Sequence, residues 1–251
     1  VYSATGGGQL FIDLALRWVG RQQGGAAKSA VISSAMFGTI SGSAVANVVA
    51  TGVFTIPLMR KTGYTPEYAG AHEAIASTGG QLMPPIMGIA AFVMAELLQV
   101  PYVRIALAGT IPAVAYYFAL YMIVDLRARR SGIGSIGAEE LRATAPVVPR
   151  LHLFAAPLVL IGCLFAGYSA TYAALVGTGV AFLSCYLRRG TRLGPRGVLA
   201  MIDDIGKQAA QVAVPIAAIG IIIAVAVQSN LAIKFSARLI EISGGTLLGA
   251  M

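Results

Sequence analysis

Apolar residues in the first stretch fall at Leu10, Phe11, Leu14, Ala15, Trp18 and Val19, the spacing of one helix face, with Asp13, Arg17 and Arg21 largely off it. This predicts an amphipathic helix, Leu10 to Arg21, lying at a membrane surface. The next apolar run, Ser29 to Met59, is about thirty residues, longer than the roughly 20 that one crossing needs, and Ser41-Gly42-Ser43 interrupts its middle. Lys28 precedes the run and Arg60-Lys61 follow it. A single crossing would separate these cations, whereas a segment that enters, turns and returns keeps them on one side. The reading is a re-entrant hairpin over 26–60, with Ala26 to Ile40 going in and Ala44 to Met59 coming out.

Glu67 to Leu98 is again too long for one plain helix and is broken by Gly79-Gly80 and Pro84-Pro85, which predicts a span built from two half-helices. Irregular backbone at membrane depth is tolerated only where it lines a cavity or meets a ligand, so the break marks a candidate site. Val103 to Leu126 reads as an ordinary span ending at Arg127, Arg129 and Arg130 on the cytoplasmic side, and 128–150 as a polar, glycine-rich cytoplasmic linker. Leu151 to Gly167 and Tyr172 to Leu187 form a pair of spans joined by an outer turn at 168–171. Asp203-Asp204 is expected to cap a further span, Ile205 to Gln228, which Pro215 could kink. Leu231 to Gly245 then repeats the opening helix weakly, Leu10, Ile12, Leu14 and Arg17 pairing with Leu231, Ile233, Phe235 and Arg238.

These elements divide into a first inverted repeat, 1–127, the linker, and a second half, 151–251, expected to stop before a hairpin of its own. The chain starts and ends in mid-pattern and is read as an internal fragment. The expected fold class is all-α, a polytopic transmembrane helical protein in which inverted repeats bring a re-entrant hairpin and a broken helix together, the architecture of secondary transporters.

Composition agrees. Of 251 residues 57% are hydrophobic and only 11% charged, with mean hydropathy +0.78, which leaves too little polar surface for a water-soluble domain. The net charge of +8 does not indicate nucleic acid, because the cations flank apolar segments and form no stripe with interleaved aromatics. Cys163 and Cys185 lie in apolar stretches and read as small packed side chains.

Two clusters carry candidate chemistry: Ser41, Gly42, Ser43, Asn47 and Thr51 at the hairpin turn, and Ser77, Thr78, Gly79, Gly80 and Gln81 at the break. Both are neutral and oxygen-rich, suited to holding sodium through carbonyl and hydroxyl oxygens, while the N-termini of half-helices suit an anionic carboxylate. Ser29, Ser33, Ser34, Thr39 and Thr110 read instead as close-packing residues. Glu73 and Glu96 could carry protons, yet each is read as near enough to a span end to reach water. His72 is placed similarly, and His152 reads as interfacial. An intramembrane serine protease is disfavoured because Gly38-Thr39-Ile40-Ser41-Gly42 lacks a glycine two before the serine. The sequence has no phosphate-binding loop and no Cys/His cluster, so the chain is not read as an enzyme, and no cofactor is expected beyond a coupling ion.

The strings Gly38-Thr39-Ile40-Ser41-Gly42-Ser43-Ala44-Val45-Ala46-Asn47-Val48-Val49, Phe54-Thr55-Ile56-Pro57-Leu58-Met59 and Ala76-Ser77-Thr78-Gly79-Gly80-Gln81-Leu82-Met83-Pro84-Pro85-Ile86-Met87-Gly88 resemble the large membrane subunit of tripartite ATP-independent periplasmic (TRAP) transporters, in particular the fused permeases that work with a TAXI-type binding protein. The resemblance covers nearly the whole chain. It implies an elevator-type, multi-pass carrier in the bacterial inner membrane, driven by a sodium gradient and receiving a small organic acid from a periplasmic binding protein, with a small membrane subunit or its fused equivalent as partner. It implies sodium ligands at Ser43, Ala44, Asn47, Ser77, Thr78 and Gly79, and substrate contacts at Ser41, Gly42, Ser43, Asn47, Gly80, Pro84 and Pro85. Ala26 to Pro101 would then move, with Val103 to Leu126 and Leu151 to Leu187 nearer the scaffold. The second hairpin and the helices preceding this region in the fused form are missing from the sequence, which puts half the binding site outside it.

Overall fold

The computed structural model describes residues 7–137, 141, 147–186 and 194–242. The expected linker residues 138–140 and 142–146, the arginines at 188, 189 and 192, and the glycines at 244 and 245 lie outside these. The described residues fold into helices α1 (Gly7–Val19), α2 (Gly25–Ser41), α3 (Ala44–Lys61), α4 (Pro66–Gly79), α5 (Ile89–Leu98), α6 (Tyr102–Arg130), α7 (Ala155–Phe165), α8 (Ala170–Tyr186), α9 (Pro195–Gln228) and α10 (Leu231–Ile242), with short 3-10 turns at Gly80–Leu82 and Val148–Phe154. The all-α class is as expected, and no strand occurs among the described residues. Among the described residues, α6 alone is by length and composition apolar and long enough to cross a membrane unaided. Shorter apolar stretches lie at Ile89–Leu98, Arg150–Phe165, Ala170–Ser184 and Ile216–Gln228.

The hairpin forms as its sequence dictates. Gly42 closes α2 at φ 59°, a left-handed conformation open to glycine, and Ser43 caps α3 by accepting a hydrogen bond from the Ala46 amide at 3.3 Å. The broken span is also present: α4 runs from a Thr65 cap with Pro66 in its first turn, ends at Gly79, and passes through the 3-10 turn and an irregular segment, with a cis Pro84-Pro85 bond, before α5 starts.

One core cluster unites Ile12 and Leu16 of α1, Ala26, Ala27, Ala30 and Val31 of α2, Ala69 and Ala76 of α4, and Tyr117, Leu120 and Val124 of α6. The helix ends at one side of this unit are tied together. Lys28 of α2 pairs with Asp125 of α6 at 2.5 Å, and the Arg127 guanidinium sits 4.3 Å from the Tyr68 ring centre. The hairpin entrance, the start of α4 and the arginine-rich end of α6 therefore share one side of this unit. Between α3 and α4, burial pushes the Tyr64 phenol up to about 12, keeping it neutral beside Gly24.

Several expectations change. Trp18 is 62% exposed, and the buried face of α1 includes Ile12, Leu16 and Asp13. Asp13 is drawn in because Arg150 bonds it at 2.7 Å. Lys28 is a buried ion-pair partner, not a free flanking charge. The start of the expected linker is packed, not loose: Ile133 and Ile136 are buried, the Gly24 amide donates to the Gly134 carbonyl, and the Ile136 amide donates to Gly20. Asp203-Asp204 does not cap a helix, because α9 already starts at Pro195, a residue suited to the first helical turn. Asp203 instead pairs with Lys207 one turn on.

The chain divides into two compact units, 1–198 and 199–251. In the first, α7 and α8 form a close antiparallel pair, with Gly177 packed against Leu160. In the second, the described side chains of α9 and α10 are largely exposed, Ile221, Ile222 and Val225 among them.

Candidate functional site

The hairpin and the broken span meet at two levels. Toward the C-terminal ends of α2 and α4, a Cβ built on Gly38 would lie 2.4 Å from the Gly80 Cα, so the two backbones touch and only glycine fits. A few residues further along both chains, a Cβ on Gly42 would lie 1.9 Å from the Met87 carbonyl oxygen. Gly42 leads into the N-terminus of α3, and Met87 into the N-terminus of α5, whose Gly88 cap offers no side chain. Two helix C-termini, with their partial negative charge, thus meet at one contact, and two N-termini, with their partial positive charge, meet at the next.

Between the hairpin and α4 lies a buried polar cluster. Asn47, Thr51 and Thr55 form one stripe on α3 and are fully buried, as are Ser34 of α2 and Glu73 and Ser77 of α4. The Asn47 amide nitrogen donates to the Ser34 carbonyl at 2.9 Å and the Ser77 carbonyl at 3.4 Å. The Glu73 carboxyl is in hydrogen-bond contact with the hydroxyls of Thr51, Thr55 and Ser77, and with Ser34 at the outer limit of 3.5 Å.

Helix α6 holds the far side of the break through three tyrosines. Tyr116 donates to the Ile75 carbonyl and Tyr117 to the Ala76 carbonyl, each at 2.8 Å, near the end of α4, while Tyr102 reaches the carbonyls of Pro85 and Ile86. These bonds supply donors where the helix is ending or absent.

The sequence-predicted residues are brought together unevenly. Asn47 and Ser77 are bonded to one another, and Gly80 packs against both Asn47 and Gly38. Ser41, Gly42 and Ser43 form the tip, and Ser41 Oγ is buried with no hydrogen-bond partner, which leaves an oxygen at the tip free for a cation. The Ser43 hydroxyl is spent on its helix cap and the Thr78 hydroxyl on the Ala74 carbonyl, so neither converges with the other as a side-chain ligand. Ala44, the first residue of α3, has only its backbone to offer, as has Gly79, whose missing Cβ makes room for the Tyr116 ring. Pro84 and Pro85 lie half-buried in the break.

Glu73 differs from its expected water-accessible position: it is wholly buried, enclosed by α2 and α3. Glu96 is exposed, and His72 is buried with Nε2 3.0 Å from the Ala27 carbonyl. Ser29, Ser33, Thr39 and Thr110 bond within their own helices, but Ser34 reaches out to Glu73. Sequence reasoning passed over Thr55 and the three tyrosines. The i, i+4, i+8 polar stripe Asn47-Thr51-Thr55 in an apolar helix was the available signal for the first.

An all-helical membrane protein whose broken helices pair like ends around an oxygen-rich turn has the form of a secondary-transport permease. The whole chain, residues 1–251, matches the family described as "Tripartite ATP-independent periplasmic transporter, DctM component", and the chain belongs to that family. It is 28% identical over 196 residues to the C4-dicarboxylate TRAP transporter large permease protein of Pseudomonas aeruginosa, covering 76% of this chain and 45% of that one. It is 30% identical over 187 residues to the protein of the same description from Vibrio cholerae, covering 72% and 40%. The sialic acid TRAP transporter permease protein of Haemophilus influenzae is 26% identical over 182 residues, covering 71% and 29%. The chain spans less than half the length of these relatives.

Proposed function

We propose that this chain forms the first hairpin, its partner broken span and adjoining helices of a bacterial inner-membrane carrier. The carrier imports a small organic acid delivered by a periplasmic binding protein and couples the import to sodium. The observation that carries this reading is the pairing of like helix ends, Gly38 against Gly80 and Gly42 against Met87. The negative ends suit a monovalent cation and the positive ends a carboxylate, which supports a sodium–carboxylate symporter. Relatives described as C4-dicarboxylate and sialic acid permeases support an acidic substrate. The carrier works with a small membrane subunit or its fused equivalent, and the TAXI-type assignment rests on the sequence strings quoted above.

The test is substrate uptake into proteoliposomes by the full-length protein with its binding protein, with and without an inward sodium gradient, in wild type and Gly42→Ala. A Cβ at residue 42 needs the left-handed backbone and strikes the Met87 carbonyl, so it opens the tip. Sodium-driven uptake that Gly42→Ala reduces by about tenfold or more, as a misplacement of about 1 Å at a binding centre can, supports the reading. Uptake indifferent to sodium overturns the sodium assignment.

A further inference from the structure

A cavity of about 550 Å³ opens beside the Lys28–Asp125 pair, between the loop that precedes α2 and the last turns of α6. Gln22, Gln23, Lys28, Asp125 and Arg129 line it, and Tyr121 and Met122 complete the lining. It lies on the side of the unit shared by the hairpin entrance and the arginine-rich end of α6, which is expected to be cytoplasmic because the cations gather there.

The hydrogen bonds already made define what the cavity can still bind. Both Asp125 oxygens are taken, Oδ1 by the buried Lys28 ammonium at 2.5 Å and Oδ2 by Arg129 Nε at 2.8 Å. Gln22 Oε1 accepts from Lys28 at 3.1 Å and from the Tyr121 hydroxyl at 2.6 Å, which fills its two lone-pair directions. The Lys28 ammonium also faces the Tyr121 ring, 5.1 Å from its centre. These groups have N–H donors left to offer: the Gln22 amide protons and the two terminal nitrogens of the Arg129 guanidinium, whose side chain is 66% exposed. Two cations face one carboxylate, so the lining carries net positive charge. A donor-rich, positive cavity with an arginine fork suits a phosphate group.

Apolar surface leads away from this cavity. Back along α6 from Met122 come Phe118, Val114 and Ile111, all exposed, at spacings of four, four and three residues. They form one stripe on the face that also carries Asp125 and Arg129. At 1.5 Å per residue the stripe from Ile111 to Met122 is about 16 Å long, one leaflet's share of a hydrocarbon core about 30 Å thick. A free phosphate ion would use the cavity and leave the stripe bare. A phospholipid uses both, and basic pockets at the cytoplasmic ends of membrane helices suit anionic head groups.

We propose that the cavity and stripe bind one anionic phospholipid of the cytoplasmic leaflet. Gln22 and Arg129 hold its phosphate beside the Lys28 charge, and one acyl chain lies along Met122, Phe118, Val114 and Ile111. The head group thereby ties the loop before α2 to the end of α6. The inference rests on the chain lying in a membrane, and neither on sodium nor on the acid carried.

The experiment is native mass spectrometry of the full-length protein, purified in detergent and titrated with dioleoyl phosphatidylglycerol, dioleoyl phosphatidylcholine or inorganic phosphate. Wild type is expected to retain one phosphatidylglycerol per chain and to hold it about tenfold more tightly than phosphatidylcholine. Arg129→Gln is expected to weaken phosphatidylglycerol about fivefold, the effect of one basic group at a lipid surface. Arg130→Gln makes the same charge change about 100° around the helix and is expected to leave binding within about twofold of wild type. Phosphatidylcholine held as tightly as phosphatidylglycerol, or Arg130→Gln as damaging as Arg129→Gln, means general attraction to a basic rim and overturns the site. Inorganic phosphate binding as tightly as the lipid leaves the stripe without a role and overturns the lipid assignment. A wild type that retains no lipid overturns the proposal outright. None of these readings involves uptake, so failure here and failure of the carrier reading are told apart.

Discussion

Helix α1 buries Leu10, Phe11, Ile12, Ala15 and Leu16, with Asp13 as the one charged residue among them, held there by Arg150. Helix α3, packed against the same neighbour, buries Asn47, Thr51 and Thr55 and turns Val45, Val49 and Val53 outward, at 74%, 65% and 65% exposure. Each of these α3 stripes repeats every four residues, so the helix is as strongly two-faced as α1 with the faces exchanged. The difference teaches that the two helices answer to different solvents. Helix α1 gains by hiding apolar surface, whereas α3 gathers its hydrogen-bonding groups inward because the medium beyond its valines accepts hydrocarbon and refuses polar atoms.

Three substitutions in the full-length protein would break or sharpen that comparison. The largest effect is expected for Leu10→Ala on α1, which empties a site packed against Val147 and Leu153 and should cost about 3 kcal/mol in detergent-solubilised unfolding. Val49→Asp on α3 should cost about 2.5 kcal/mol in a membrane-insertion assay, while Val49→Ala stays within about 0.5 kcal/mol. If Val49→Asp were as harmless as an exposed charge in water, α3 would not face lipid. The smallest of the three is Asn47→Ala, which removes the amide bridging the Ser34 and Ser77 carbonyls and should cost about 2 kcal/mol, read by thermal unfolding in lipid nanodiscs.

The hairpin and the break could be read from sequence because their causes are local: a glycine flanked by serines in an overlong apolar run, and two prolines that cannot continue a helix. The wrong readings share a different cause. Glu73 lies about two turns in from Pro66 and looks close to water along the chain, yet α2 and α3 close over it from segments far away in sequence. The pairing of Lys28 with Asp125 could not be read from the sequence because the two are distant along the chain. Asp203-Asp204 looked like a cap because acidic residues favour helix starts, but Pro195 had already begun the helix. The tip serines were found correctly as a turn, whereas the hydroxyls of Ser43 and Thr78 are satisfied within their own helices, and no spacing rule distinguishes a hydroxyl used locally from one left for a ligand.

Tyr102, Tyr116 and Tyr117 have a mechanical consequence. They stitch α6 to the broken span above and below the break, so a displacement of α4 and the irregular segment that left α6 behind would have to sever all three hydroxyl bonds and expose the carbonyls they cover. Helix α6 is thereby bound to the broken span at both of its ends. Its opposite flank carries Ile111, Val114 and Phe118, an exposed apolar ridge, so these three polar ties of α6 all lie on the side of the break.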